Sequence, residues 1–438
     1  MKTRDELARR IELAMIAVGL VAFVVFPHEI GPDGQMRYET LERFATTGVL
    51  WSDKYPVTLS MLGLPLWFVG NALGHARDAV AHLNVLLYIL GVGLVARDLG
   101  RDTDPRITRS IVVMLVFGSM FPKHLTVFYG EVFTALAVTI GTLWLSRGSH
   151  RAGWAAILLG LLNNPGSLVG VMAIGVRTAW TTRRWIHLFV PIFGFALTRL
   201  ECLVVRGWPL ATGYEGEAGA QTVMPFSGIP GFSYPLLLGL LAVFLSFGKG
   251  LVFFAPGMFA PLPDGTPARL RWVQHTLVWF VLGLVLVYSR WWSWYGGVFW
   301  GPRFFLAASV PAAFCLGMHV AMPRERSPFA NLALLVAVLL SFWVGVNGLV
   351  FDQHGLGLCS ENGWALEMMC HFTPDMSVLF HPLVAFDDSV PEKTRSAAML
   401  VCSLWMTFGL WMTRDIARDL ARAAYEALRR ILRTRPNP

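Results

Sequence analysis

Three charged residues stand where an apolar segment meets a loop, at the level expected for a membrane surface. Asp33 closely follows the first apolar run, Glu131 begins another, and Arg303 follows Gly301-Pro302 at the start of a third. A carboxylate beside a hydroxyl can act as a general base, and a guanidinium can bind two phosphate oxygens at once. At this level charged side chains can meet the headgroup of a lipid.

The loops beside these residues hold further candidates for substrate binding, namely Lys54, Tyr55, Arg290, Trp294 and Tyr295. Trp and Tyr side chains fill five of the ten positions from 291 to 300. Their rings are suited to stacking on sugars and packing on isoprenoid chains, but an ordinary interfacial aromatic belt is the alternative. The sequence leaves both interpretations open.

The charged candidates also have structural interpretations. Asp33 would serve equally as the N-cap of a helix that begins near Met36. Arg290 would reach from the end of its apolar run to the lipid headgroups. No spacing of histidines or cysteines matches a zinc motif. We therefore assign no metal site from the sequence and leave a divalent cation open as a cofactor.

The composition sets the class of protein. Of the 438 residues, 55% are hydrophobic and 15% are charged, and the mean hydropathy is +0.54. Soluble domains have about 25% charged residues, and disordered chains have few apolar ones. A membrane-spanning helix uses about 20 apolar residues. The composition predicts an all-α polytopic integral membrane protein with about 10 to 12 transmembrane helices.

Several apolar runs are interrupted. Asn163 to Gly166 break the run 152–176, and Gly248-Lys249-Gly250 break the run 234–260. The run 56–72 is too broken by glycine and proline to span a membrane. We expect it to form a juxtamembrane helix in the first outer loop, after a helix over Met36–Thr46 in the same loop.

Basic residues orient the chain because cytoplasmic connectors are enriched in Lys and Arg. They place both termini and the connectors 97–109, 147–151, 177–184, 269–271 and 324–326 in the cytoplasm, and leave four outer loops, 28–78, 206–233, 290–303 and 351–395. The sequence thus predicts a multi-pass protein of a cell inner (cytoplasmic) membrane. Cys359 and Cys370 lie in the last outer loop, where either a disulfide or two buried thiols would fit.

The carboxyl-terminal tail, residues 414–438, follows the transmembrane domain at 1–413. It carries seven arginines and three acidic residues, which is half of the net charge of +8. Apolar residues at helical spacing predict an amphipathic helix that binds anionic lipid. This placement gives no indication of nucleic-acid binding.

Several of these features together resemble the GT-C superfamily of membrane glycosyltransferases, which take a sugar from a polyprenyl-phosphate donor on the outer face. They are an Asp just after the first span, two juxtamembrane helices, FYGEVFTALAV at 128–138 and WWSWYGGVFWGPRFFLAASVP at 291–311. The resemblance implies that Asp33 is the general base and Glu131 a second acid. It implies that Lys54, Arg290 and Arg303 hold the donor phosphate, and that transfer inverts the anomeric centre.

The sequence favours a glycosyltransferase whose acceptor is a glycan, a lipid or a protein. The acid that often follows the first Asp in this superfamily is absent, since Gly34 and Gln35 come next. A flippase of lipid-linked sugars is one alternative, and it predicts two related halves with charges at the membrane midplane. A non-catalytic assembly subunit with the same fold is the other.

Overall fold

The computed structural model describes residues 2–215, 221–297, 299–322, 326–351 and 357–433. Parts of three outer loops, of the 324–326 connector and of the tail lie outside these ranges. The described chain is helical, and it contains no β-strand beyond one isolated bridge between two residues. The α-helices are Lys2–Val25, Pro32–Thr47, Thr58–Leu62, Leu64–Ala72, Ala76–Ala81, Leu83–Leu99, Pro105–Phe117, Phe121–Leu125, Glu131–Ser146, His150–Asn163, Leu168–Thr182, Ile186–Arg206, Leu236–Leu245, Leu251–Phe254, Ala268–Tyr288, Ser309–Ala321, Pro328–Val350, Gly357–Trp364, Glu367–Phe372, His381–Val384, Phe386–Ser389 and Arg395–Arg433.

Six stretches of the described chain are long and apolar enough to cross a membrane, which confirms the prediction of an all-α polytopic protein. They are Ala76–Leu99, Ile186–Arg206, Ala268–Tyr288, Arg303–Ala321, Pro328–Val350 and Glu392–Arg429. The other apolar runs form shorter helices or, as in Lys2–Val25, carry several charges. The six long stretches therefore account for only part of the 10 to 12 spans expected.

Both interior breaks predicted from the sequence are present. Helix His150–Asn163 ends before a short 3₁₀ turn at Pro165–Ser167, because proline has no N–H to continue the helical hydrogen bonds. Helix Leu236–Leu245 is likewise separated from Leu251–Phe254 by the Gly248-Lys249-Gly250 segment. In each case polar backbone is left inside an otherwise apolar part of the fold.

The first outer loop forms the expected juxtamembrane helices, but the first begins earlier than predicted. Helix Pro32–Thr47 starts four residues before Met36, and its N-cap is Gly31, with a φ of 68° and no side-chain capping bond. The N-cap interpretation of Asp33 is therefore wrong. Asp33 lies inside the first turn, where the helix dipole favours a negative charge and the side chain remains available for other contacts.

The basic connectors meet at one end of the helical bundle. Arg147 pairs with Asp98 at 2.7 Å and with Asp102 at 2.9 Å, and Arg269 pairs with the same two carboxylates. Nearby, Arg109 pairs with Glu12 at 2.8 Å. Connectors that the sequence assigns to one side of the membrane thus lie together.

Two helices lead from this charged end to the other end of the bundle. Glu131–Ser146 has 16 residues and ends beside Arg147, and Ala268–Tyr288 has 21 residues and begins beside Arg269. At 1.5 Å per residue they extend about 24 and 32 Å. Glu131 and Tyr288 consequently lie at the end opposite the basic connectors.

The basic tail continues the last span without a break. Helix Arg395–Arg433 has 39 residues and passes through position 414. Ile416 is buried in the main hydrophobic core, and Asp415 pairs with Arg106 at 3.2 Å. The first turns of the tail are therefore packed on the protein, while binding of its exposed remainder to anionic lipid stays a prediction.

Cys359 and Cys370 form a disulfide that closes an 11-residue separation in the last outer loop. Replacing both by serine is expected to destabilise the protein by roughly 2–4 kcal/mol, because the cross-link restricts the unfolded chain. Thermal unfolding of the purified protein, with and without reductant, measures this. Cys402→Ser is the control, since Cys402 is a free and partly buried thiol. An unchanged unfolding temperature in the double variant would contradict the bond.

Candidate active site

A cavity of about 430 Å³ lies at the end of the bundle opposite the basic connectors. Its walls come from the first outer loop, the start of helix Glu131–Ser146, the Asn163–Gly166 break, the end of helix Ile186–Arg206 and the segment 287–304. The charged residues that line it are Asp33, Arg37, Lys54, Glu131, Arg199, Glu201, Arg206 and Arg303. The aromatic residues that line it are Tyr55, Tyr129, Tyr214, Phe232, Tyr288, Trp291, Trp292 and Phe304.

An ion pair between Asp33 and Arg303 forms the centre of the charged group. Arg303 Nη1 donates to Asp33 Oδ2 at 2.6 Å, although the two residues are 270 positions apart in the sequence. Both side chains are mostly buried, with 15% of Arg303 and 29% of Asp33 exposed. Arg303 Nε has no hydrogen-bond partner among the described residues. The guanidinium thus holds the carboxylate through Nη1.

The surroundings of Asp33 keep it ionised. Burial by itself would raise the pKa of Asp33, but the charge of Arg303 and the hydrogen bonds from Arg303 and Tyr55 outweigh it and lower that pKa below its ordinary value. Burial, with the nearby Tyr214 and Asp33, raises the pKa of Tyr55 well above its ordinary range. Tyr55 therefore remains a phenol and donates its proton to the carboxylate.

Glu131 provides a second carboxylate in the same cavity. It is the first residue of its helix and interacts electrostatically with Arg303, Arg37 and Asp33. Arg37 lies one helical turn after Asp33, is 7% exposed, and stacks over the Tyr55 ring at 4.5 Å. The predicted acids Asp33 and Glu131 are therefore brought to one cavity, with arginines beside both.

The cavity carries more positive than negative charge. Five cationic side chains face three carboxylates, a surplus of two positive charges. Arg206 lies 3.7 Å from Glu201 and donates to the backbone carbonyls of Lys54 and Tyr55, at 3.1 and 3.0 Å. Lys54 Nζ lies 4.9 Å from the centre of the Tyr214 ring. This charge distribution is suited to a ligand with an anionic group.

Sequence reasoning missed four charged residues of the cavity: Arg37, Arg199, Glu201 and Arg206. A signal for Arg37 was present, because residues four apart on a helix share a face and Asp33 precedes it by four. The other three lie in the last part of the apolar helix Ile186–Arg206, and charges within an apolar segment are costly and usually functional. Their positions gave no indication that they meet Asp33.

The broken helix at 163–166 contributes directly to the cavity wall. Asn163 Nδ2 donates to the Gly130 carbonyl at 2.7 Å and to Thr134 Oγ1 at 2.9 Å, which fixes the start of the Glu131 helix. Tyr288 donates its hydroxyl proton to Asn164 Oδ1 at 3.0 Å. The residues at this break thus hydrogen-bond both to the start of helix Glu131–Ser146 and to the end of helix Ala268–Tyr288.

Three residues predicted from the sequence do not line the cavity. Arg290 is exposed, and its Nη2 donates to the Phe232 carbonyl at 3.2 Å. Trp294 and Tyr295 are 1% and 3% exposed and pack in the core, with the Tyr295 ring 4.9 Å from that of His371. Their burial agrees with neither an aromatic belt nor a sugar platform, whereas their neighbours at 291 and 292 do face the cavity.

No protein-family model matches this chain, and no curated protein matches it. Among solved structures, the fold is similar to the crystal structure of ArnT from Cupriavidus metallidurans in the apo state. The identity is 15%, the alignment covers 96% of this chain and 77% of that chain, and the TM-score is 0.49. This similarity is one of backbone fold. The roles of individual residues are inferred from the geometry of the cavity.

The described residues contain no group of three or more His, Cys, Asp or Glu side chains placed to hold a metal ion. Asp33 lies beside Arg303 and Lys54, and Glu131 lies beside Arg303 and Arg37. The chemistry available to this chain's own residues is proton removal by an ionised carboxylate and stabilisation of an anion by a guanidinium. Both groups lie in one cavity with aromatic walls.

Proposed function

We propose that the protein is a glycosyltransferase that moves a sugar from a polyprenyl-phosphate donor to a hydroxyl acceptor at the outer face of a cytoplasmic membrane. The observation that carries this proposal is the Asp33–Arg303 pair inside a cationic, aromatic-walled cavity. It combines a base for the acceptor with a cation for the leaving phosphate. The cavity's position opposite the basic connectors supports the outer face.

Sequence and geometry support the same assignment. The two segments that resemble the GT-C superfamily, 128–138 and 291–311, both contribute residues to the cavity that contains Asp33. Glu131 comes from the first segment and Arg303 from the second. The residues that carry the resemblance are thus close together although they are far apart in the chain.

Donor binding uses the cations and the aromatic wall. The sugar-linked phosphate binds Arg303, whose planar fork contacts two oxygens, and Lys54 adds a second positive charge. Trp291 and Trp292 offer apolar faces for the isoprenoid chain. Because the phosphate competes with Asp33 for the guanidinium, donor binding weakens the ion pair and makes Asp33 a stronger base.

Transfer follows as a single displacement. Asp33 removes the proton from the acceptor hydroxyl, and the acceptor oxygen forms a bond to the anomeric carbon as the carbon–oxygen bond to phosphate breaks. The phosphate leaves with the bonding electrons as polyprenyl phosphate, and Arg303 stabilises its charge. One displacement inverts the anomeric centre, and Glu131 orients the acceptor beside Asp33.

The test is transfer of labelled sugar by the purified protein in lipid nanodiscs. Synthetic polyprenyl-phosphate sugars serve as donors and hydroxyl-bearing glycans, lipids and peptides as acceptors. We expect release of polyprenyl phosphate together with a new glycosidic bond. Movement of the donor across a vesicle membrane without bond formation would instead support a flippase, and neither activity would support an assembly subunit.

We expect the loss of transfer activity at low pH to reflect protonation of Asp33. The base is active when ionised, so activity falls only as the pH drops through the pKa of Asp33, which the charge of Arg303 lowers below the ordinary range of an aspartate. Tyr55→Phe removes a hydrogen bond to the carboxylate and is expected to move this limb to higher pH. The measurement is kcat/KM against pH, which reports groups of the free enzyme. If the low-pH limb is at the same pH in Tyr55→Phe as in the wild type, the loss of activity at low pH comes from a group other than Asp33.

A further inference from the structure

Lys249 is a buried lysine that lies outside the cavity. It is 2% exposed and lies in the Gly248-Lys249-Gly250 break between two helices. Its Nζ donates to the backbone carbonyls of Gly297 at 3.3 Å, of Phe299, and of Gly301 at 3.0 Å. An ammonium has three N–H donors, and here all three have acceptors within one stretch of five residues.

Burying the Lys249 ammonium has a cost in free energy. Removing an ammonium from water costs several kcal/mol unless it is fully hydrogen-bonded or paired. An apolar side chain would fill the same space without that cost. The hydrogen bonds of this lysine to the 297–301 segment are what offsets that cost.

That segment needs an external donor to fix its shape. The described residues of this segment are not helical, and Gly297 and Gly301 have left-handed φ angles of 70° and 61°. Trp300 anchors one side chain by donating to Asn347 Oδ1 at 2.7 Å. Lys249 donates hydrogen bonds to the backbone carbonyls of Gly297, Phe299 and Gly301.

The segment leads directly into the active-site arginine. Gly301 is two residues before Arg303, and a Cβ on Gly296 would lie 2.8 Å from Arg303 Cγ. The Arg303 side chain thus rests on Gly296, the residue next to the backbone that Lys249 holds. A shift of this loop would move the guanidinium relative to Asp33.

The break that carries Lys249 is held in turn by the disulfide-closed outer segment. Gly248 N donates to the His371 carbonyl at 3.0 Å, next to Cys370 of the disulfide. A Cβ at Gly248 would lie 2.3 Å from the Cys370 carbonyl oxygen, so only glycine permits this approach. The outer segment therefore fixes the point from which the lysine reaches the loop.

We propose that Lys249 is a positioning residue, which acts through the 297–301 backbone to hold Arg303 against Asp33 and ready for the donor phosphate. This rests on the proposed function for the role of Arg303, but the effect on the loop does not. Lys249 is not itself among the residues that line the cavity, and of those residues it donates only to the Gly297 carbonyl. Its effect on catalysis is therefore transmitted through Arg303.

The first test measures the loop directly. In Lys249→Met, backbone amides in the segment 296–303 are expected to exchange with deuterium at least about tenfold faster than in the wild type. Gln274→Met is the matched control, because Gln274 is similarly buried, at 3% exposed, and donates to one backbone carbonyl, that of Pro311, at 2.8 Å. Unchanged exchange in Lys249→Met would overturn the proposal, whatever the protein's activity.

The second test separates positioning from general damage. We expect Lys249→Met to reduce sugar transfer by roughly 100-fold, as displaced catalytic groups do, and to weaken binding of a short polyprenyl phosphate. In an Arg303→Met background, Lys249→Met is expected to cause no further loss of that binding. Additive losses, or an equal loss in Gln274→Met, would show a merely structural role.

A milder variant tests whether misfolding accounts for the effects of Lys249→Met. Lys249→Gln keeps two N–H donors without the charge and is expected to give intermediate exchange and intermediate binding. Wild-type behaviour of Lys249→Gln in both assays would overturn the proposal. If wild-type protein neither binds polyprenyl phosphate nor transfers sugar, the proposed function fails, while the exchange experiment still decides the role of Lys249.

Discussion

Replacing Asp33 by asparagine is expected to reduce the rate of sugar transfer by roughly 10²–10⁴-fold, which is the usual contribution of a general base. The amide cannot accept the acceptor's proton, yet it has nearly the same volume. Donor binding should be retained, because Arg303 loses a competing carboxylate and remains available to the phosphate. We therefore expect kcat to fall while the KM for the donor stays constant or decreases.

The matched control is Asp53→Asn. Asp53 lies in the same outer loop, is exposed and does not line the cavity, so its substitution should leave transfer unchanged. Measured transfer rates and donor KM values for both variants decide the assignment. Full activity of Asp33→Asn would remove Asp33 as the base and leave Glu131 as the remaining candidate from the sequence.

Replacing Arg303 by methionine is expected to reduce transfer by roughly 10²–10³-fold, as when one stabiliser of developing negative charge is removed. The loss should affect both donor binding and kcat, because the phosphate carries charge in the bound state and gains more as it leaves. Arg303→Lys keeps the charge but loses the two-pronged contact, and an intermediate activity is expected. Steady-state kinetics with a synthetic donor measure each effect.

Arg43→Met is the control for this experiment. Arg43 lies on the same helix as Asp33, but it is exposed and its guanidinium stacks over Trp51 at 4.6 Å, outside the cavity. Thermal unfolding of each variant separates loss of chemistry from loss of the fold. An Arg303→Lys variant as inactive as Arg303→Met would show that the guanidinium fork, and not only the charge, is required.

Local sequence signals predicted the fold well wherever a local cause sets the structure. Pro165 and the glycines around Lys249 break helices because of their own backbone chemistry, and both breaks are present. The start of the first juxtamembrane helix was placed too late. Gly31 and Pro32 begin it through a left-handed φ and a fixed φ respectively, four residues before Met36.

The candidate site was predicted in part. Asp33, Lys54, Tyr55, Glu131 and Arg303 were chosen for their charge or ring at the edge of an apolar run, and all five line the cavity. The same rule also selected Arg290, Trp294 and Tyr295, which lie outside it. Position at a membrane edge restricts the depth of a residue in the bilayer but not the direction in which its side chain points.

By itself the sequence determined that this is a helical membrane protein, where its helices are interrupted and which few charges stand at the edges of its apolar segments. These are properties of composition and of short segments. A helix buried in lipid must be apolar, so they can be recognised in the sequence alone. Only the tertiary structure decided that Asp33 meets Arg303, that Arg206 and Glu201 join the same cavity, and that Lys249 holds the loop beside it. Those contacts join residues tens to hundreds of positions apart, and they depend on how helices pack, which no local pattern specifies.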